Sequence, residues 1–152
     1  MRWLLYVLLV AGGSYLVVLA TLAVVSQRPR PVGLVGGRLR PCPRPTNCVS
    51  TAEPRRRPLA PLVFTGSPEA AMARLAAVLD GMPGCRVVRL EGPYLHAEAR
   101  SRLFRFVDDV EALADPQAGV IHLRSASRVG VSDRGVNRRR VEEIQRRFAV
   151  GG

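Results

Sequence analysis

Two groups of residues in this 152-residue chain have types and spacing suited to chemistry. The first is "FVDDVE", which carries Asp108 and Asp109, together with His96 and His122, the only histidines. A carboxylate and an imidazole within hydrogen-bond reach of each other can move a proton. A hydrolase-like or isomerase-like enzyme would therefore use Asp108 or Asp109 with His96 or His122. Neighbouring residues of a strand point to opposite faces, so the two aspartates are not a ready-made pair. One is expected at the core-side edge, bonded to an arginine such as Arg124 or Arg128, and the other towards solvent; Glu111 shares a face with Asp109. A charge-paired sheet face is the reading preferred over acid–base catalysis.

The second group lies in "RSASRVGVSDRGVNRRRVEEI", residues 124–144. Ser125, Ser127, Arg128, Ser132, Asp133, Asn137 and Arg138 form a candidate ligand-binding set. A strand that leaves through Gly130 and Gly135 into a helix start can present free N–H groups to an anion. Arg128 adds a planar fork that matches phosphate or carboxylate. The competing reading is architectural: Asp133 and the serines cap turns, and Arg128 pairs with Asp108 or Asp109. The stretch has neither a phosphate-loop pattern nor G-x-G-x-x-G, and the chain has no G-x-S-x-G elbow. No cofactor is implied.

The elements that must position these groups follow from patterning. "SPEAAMARLAAVLDGMPG" predicts a helix capped by Ser67, opened by Pro68 and ended by Gly81. Its apolar face is Met72, Leu75, Ala76 and Leu79. About four strands follow. They are "CRVVRL"; "YLHAEARS", with Leu95, Ala97 and Ala99 opposite Tyr94, His96, Glu98 and Arg100; "LFRFVDDVEAL", with Phe104, Phe106 and Val110 turned to the core; and "GVIHLRSAS", with Ile121 and Leu123 inward. Short connections imply an antiparallel sheet with one solvated face. A last helix begins near Asn137, read as its N-cap, and buries Val141, Ile144 and Phe148. The expectation is an α+β fold: two helices on one face of about four antiparallel strands.

Before this domain, Trp3 to Val25 form 23 residues without a charge, enough to cross a hydrocarbon core of roughly 30 Å as a helix. An uncleaved single anchor at 1–26 is preferred over a signal peptide, whose apolar part is usually about 7–15 residues. The membrane is thus an expected partner through residues 3–25. Residues 27–60 are rich in Arg, Pro and Gly and read as a tether, leaving 61–152 as the globular unit.

The net charge is +11 and all 23 basic residues are arginine. Residues 26–60 hold eight arginines against one glutamate, whereas 61–152 hold 14 against 11 acids. Such a juxtamembrane excess is attracted to anionic lipid and tends to stay cytoplasmic. Arg138 to Arg140 open the last helix, but Glu142-Glu143 make a solvated helix face a better reading than nucleic-acid binding. Cys42 and Cys48 bracket "CPRPTNC" and leave two readings open, a short disulfide loop or two reduced thiols. No histidine stands at ligand spacing to them, so no metal site is expected. Cys85 reads as a small buried apolar residue.

"CPRPTNCVST", "YLHAEARSRLFRFVDDVE" and "IHLRSASRVGVSDRGVNRRRVEEI" together closely resemble the family called domain of unknown function 1499, over roughly Pro41 to Phe148. The resemblance implies a small protein with an N-terminal membrane or export segment. Plant members are placed in the thylakoid lumen, which implies an extracytoplasmic domain and a Cys42–Cys48 disulfide. It carries no catalytic residues over. The resulting expectation is a single-pass membrane protein whose domain binds an anionic ligand or a protein partner without catalysing a reaction.

Overall fold

The computed structural model describes residues 2–43, 46–53 and 58–150. Met1 of the expected anchor, Arg44-Pro45 and Pro54 to Arg57 of the expected tether, and the final Gly151-Gly152 lie outside the described residues. Helix α1 (Arg2–Ser26) is long and apolar enough to cross a membrane by length and composition. A hairpin of β1 (Leu34–Val35) and β2 (Arg38–Leu39) follows, then β3 (Cys48–Ser50), β4 (Leu62–Val63) and α2 (Pro68–Asp80). The chain continues through β5 (Cys85–Glu91), β6 (Tyr94–Arg100), β7 (Val107–Asp115) and β8 (Val120–Ser127) to α3 (Val136–Val150).

The fold is α+β, with more strands than the four expected. The main sheet runs β3-β8-β7-β6-β5, and β4 pairs with the other end of the β8 edge. All pairings are antiparallel. The additional strands β3 and β4 are two or three residues long, too short to show a period of two. β3 arises within the segment read as a tether. It pairs Cys48 with Ala126 and Ser50 with Arg124, and Cys48 is buried.

Alternation decides which face the helices cover. Leu95, Ala97 and Ala99 on β6, Val110 and Ala112 on β7, and Ile121 and Leu123 on β8 are all buried in one core. Met72, Leu75 and Leu79 of α2 and Val141, Ile144 and Phe148 of α3 close it. Full burial of each large side chain is worth about 1.5–3 kcal/mol. Ser67 caps α2 as expected, accepting from the Ala70 N–H at 3.1 Å.

Three local expectations are corrected. α3 starts at Val136, and its cap is Asp133, whose carboxylate accepts from the N–H groups of Gly135 and Asn137. Asn137 sits inside the first turn, and its side chain is spent on tertiary contacts. Phe104 and Phe106 are half-buried and lie outside the strand, because a loop closes over residues 101–106 before β7 begins. The Ser101 N–H donates to the Phe106 carbonyl and the Phe106 N–H to Ser101 Oγ, with Arg105 at a φ of 58°. Cys85 is half-buried.

The largest difference concerns the second sheet face, which is not left to solvent. Tyr94, His96, Asp109, Glu111 and Arg124 are buried on it. Ser26 at the end of α1 and Leu39 of the hairpin are buried as well. The Gly33 N–H donates to Glu111 Oε1 at 2.7 Å, so the Pro/Gly-rich segment lies across the polar face. A cover over paired charges needs few apolar residues, which is why composition suggested a loose tether.

Candidate functional site

β7 carries acids on both faces. On the helix face, Asp108 accepts from Arg140 of α3 at 2.9 Å. On the covered face, Asp109 and Glu111 each take one partner from β6 and one arginine from β8 or just beyond it. Tyr94 Oη donates to Glu111 Oε1 at 2.8 Å, and Arg124 donates to Oε2 at 2.6 Å. His96 Nε2 lies 2.9 Å from Asp109 Oδ1, while Arg128 donates to both Asp109 oxygens. The β6 contacts run diagonally. His96 stands opposite Glu111 but reaches Asp109, and Tyr94 stands opposite Leu113 but reaches Glu111. Diagonal neighbours across a pair lie within reach of long side chains.

Arg128 is the hub. Its fork also donates to Glu98 at 2.7 Å and to the Ser26 carbonyl, the last residue of α1, at 3.3 Å. The guanidinium thus joins β6, β7 and the end of the apolar helix. A positive charge near a helix C-terminus is favourable. Burial pushes the Asp109 carboxyl up, but the hydrogen bonds and charges of His96 and Arg128 outweigh it and hold the group below the ordinary range. Glu98 behaves alike, with Arg128 and Arg100 offsetting burial. Burial, together with the hydrogen bond to Glu111 and the charge of that carboxylate, raises the Tyr94 phenol well above its ordinary value.

His96 and Asp109 therefore converge, and His122 does not join them. It stands on β8 opposite Leu113 of β7, two strands away from His96 on β6. Asp109 spends both oxygens on Arg128, which makes it a counter-ion rather than a free base. With Asp109 ionised, His96 Nε2 must be the donor.

The candidate ligand loop is divided among several tasks. Ser125 Oγ donates to Asn137 Oδ1 at 2.6 Å, Asn137 Nδ2 donates to Ser127 Oγ and to the Asn47 carbonyl, and Arg140 donates to both Ser125 and Asn137. This buried knot ties β8 to α3 and β3. Asp133 caps α3, and Ser132 Oγ accepts from the Arg134 N–H. Arg138 lies on the α3 surface beside Glu142.

Only Ser127 and Arg128 of that set line the cavity of about 430 Å³ beside the acid ladder. Its other walls include Arg30, Arg40, Asn47, Cys48 and Arg124. The Cys42–Cys48 disulfide shapes its rim. Asn47 Nδ2 donates to the Gly130 carbonyl and Thr46 Oγ1 to the Val131 carbonyl, fastening the 129–133 loop to the disulfide loop.

The Nε atoms of Arg40 and Arg124 are buried and have no hydrogen-bond partner among the described residues. Arg124 is 6% exposed, and its pairing with Glu111 uses a different nitrogen. The sequence carries no signal for Arg30 and Arg40, because nothing in a Pro/Gly-rich run shows that it folds back on the sheet. Among the described residues, no cluster of three or more His, Cys, Asp or Glu side chains is suited to holding a metal ion.

A protein-family model described as "Protein of unknown function (DUF1499)" matches residues 38–148. No curated protein matches the chain.

Proposed function

The chain belongs to the DUF1499 family, and from that premise we propose that it is a membrane-anchored binding module of the cell envelope. Its cavity takes a small ligand bearing a phosphate or carboxylate group. The observation that carries this reading is that Arg40 and Arg124, whose buried Nε atoms have no hydrogen-bond partner among the described residues, both line one cavity. An unmade hydrogen bond at a buried polar group costs about 1–3 kcal/mol, more when the group is charged, and an anion would satisfy both donors. Arg30 adds a further positive charge at the wall.

α1 spans the membrane in this reading. Support comes from the buried Ser26, whose Oγ accepts from the Val107 N–H and whose carbonyl accepts from Arg128. Cleavage after Ser26 would remove that residue and both of these contacts. The Cys42–Cys48 bond supports an extracytoplasmic domain, since disulfides persist in oxidising compartments. An acid–base enzyme built on His96 and Asp109 is the weaker reading, because Arg128 occupies both carboxylate oxygens.

The test is thermal unfolding of the full chain in detergent with inorganic phosphate, pyrophosphate and citrate at matched ionic strength. A compound that binds only the native state raises the melting temperature. The expected result is a rise with at least one compound that disappears in Arg40→Gln. A flat response to all three, or an equal rise in Arg40→Gln, overturns the reading.

A further inference from the structure

The end of α1 is not a free linker. Leu19, Leu22, Ala23 and Ser26 lose exposure along one side of the helix, at i, i+3, i+4 and i+7. Leu22 shares a small cavity with Phe106, Val129 and Val136. The Gln27 side chain donates to the Arg105 carbonyl and accepts from Arg100. Two loops, residues 101–106 and 129–135, therefore stand beside the last two turns of the helix. Leu19 to Ser26 spans about 10 Å at 1.5 Å per residue.

The tips of these loops are unusual for a surface bathed only in water. Leu103 is 79% exposed and Val131 is 74% exposed. Arg102, Arg105 and Arg134 flank them, and the 101–106 loop has no acid. Arg105 and Arg134 both hold positive φ, at 58° and 50°, so tight turns define the tips. A 25-residue helix is about 37 Å long against a hydrocarbon core of roughly 30 Å. The excess of about 7 Å puts up to about one turn of its end in the headgroup layer, and the loops beside that turn reach the same layer. Apolar tips ringed by arginine suit that layer, where the apolar part enters the acyl boundary and guanidinium groups stay among phosphates.

We propose that the 101–106 and 129–135 loops form a bilayer-docking surface, with Leu103 and Val131 inserted at the lipid interface. The domain then sits on the membrane in one orientation, fixed by Arg128 and Gln27 at the helix end. This rests on the reading that α1 spans the membrane.

The test uses the full chain in vesicles of phosphatidylcholine and phosphatidylglycerol, with or without bromine on the acyl chains. Leu103→Trp and Val131→Trp are each made together with Trp3→Phe, so that one tryptophan reports. Both should show blue-shifted emission quenched to about half or less by brominated lipid, as expected for a ring buried roughly 5–10 Å into the interface. Val63→Trp, an exposed position on β4 at the far end of β8, should stay unquenched.

Native Trp3 in the unmodified chain separates the two readings. If Trp3 is quenched while both loop positions remain unquenched, the helix spans and the docking surface is wrong. Quenching at Val63→Trp as strong as at the loops also overturns the fixed orientation. If Trp3 itself is unquenched, the span fails and the docking proposal fails with it.

Discussion

Arg128 donates twice to Asp109, from Nε to Oδ2 at 3.0 Å and from an amino nitrogen to Oδ1 at 2.6 Å. Both side chains are nearly inaccessible to solvent. The same guanidinium reaches Glu98 and the Ser26 carbonyl, so this one pair couples the charged sheet face to the apolar helix. The hydrogen bonds and charges of His96 and Arg128 together outweigh burial and hold the Asp109 carboxyl below its ordinary range.

Removing Arg128 should therefore cost more than a surface pair would. Arg128→Ala leaves Asp109 buried without its counter-ion, a change worth about 3–5 kcal/mol. Arg128→Lys should recover only a small part, because a single ammonium cannot reproduce a two-nitrogen fork. Chemical denaturation of the three proteins would check the order. A lysine variant as stable as wild type would show that charge alone suffices.

Acid should loosen the same ladder. Asp109 and Glu98 have ordinary values of 3.8 and 4.5 and lie below them in the fold, where arginine and histidine partners outweigh burial. Their folded values are depressed, so their contribution is fully present above pH 4.5 and drains away as pH falls through the folded values. The melting temperature should hold steady from neutral pH to pH 5 and drop below pH 4. In Arg128→Ala that drop should be shallower.

Reduction of Cys42–Cys48 should weaken the cavity more than the core. The bond closes a loop of about seven residues, for which the chain-entropy account gives roughly 2 kcal/mol. Its loop also holds Asn47 and Thr46 against the Gly130 and Val131 carbonyls. Hydrogen exchange in reductant should rise first at residues 46–50 and 129–133, while α2 stays protected. Uniform exchange across the domain would count against this division.

Gly84→Ala is expected to destabilise by about 1–3 kcal/mol. Gly84 has a φ of 78°, and an added Cβ would stand 2.5 Å from the Arg100 carbonyl oxygen. The Arg100 N–H already bonds the Gly84 carbonyl, so the two strands cannot part without losing that contact. Equilibrium unfolding of Gly84→Ala, with Gly92→Ala as a positive-φ position with open space around it, would separate steric clash from backbone strain.

Patterning made the helix-covered half of the fold legible. Ser67-Pro68 before an apolar face specified α2, and alternation in "YLHAEAR" placed Leu95, Ala97 and Ala99 on the buried face. It also put Tyr94, His96 and Glu98 on one shared face. The error lay in leaving that face to solvent. Asp133 caps α3, whereas the residue pattern alone points to Asn137 as the helix start. Two oxygens at Asp133 can serve two N–H groups, which frees Asn137 to turn inward.

By itself, the sequence determined the membrane-length helix, the faces of the central strands and the apolar faces of α2 and α3. Each is set by local periodicity, and each buries apolar surface that leaves a visible stripe. Only the tertiary structure decided which arginine meets which acid, since Arg128 and Ser26 lie 102 residues apart and long side chains reach in many directions. It also decided that the Pro/Gly-rich segment covers the polar face. A cover that contacts paired charges needs no apolar period, so nothing in its composition distinguishes a lid from a tether.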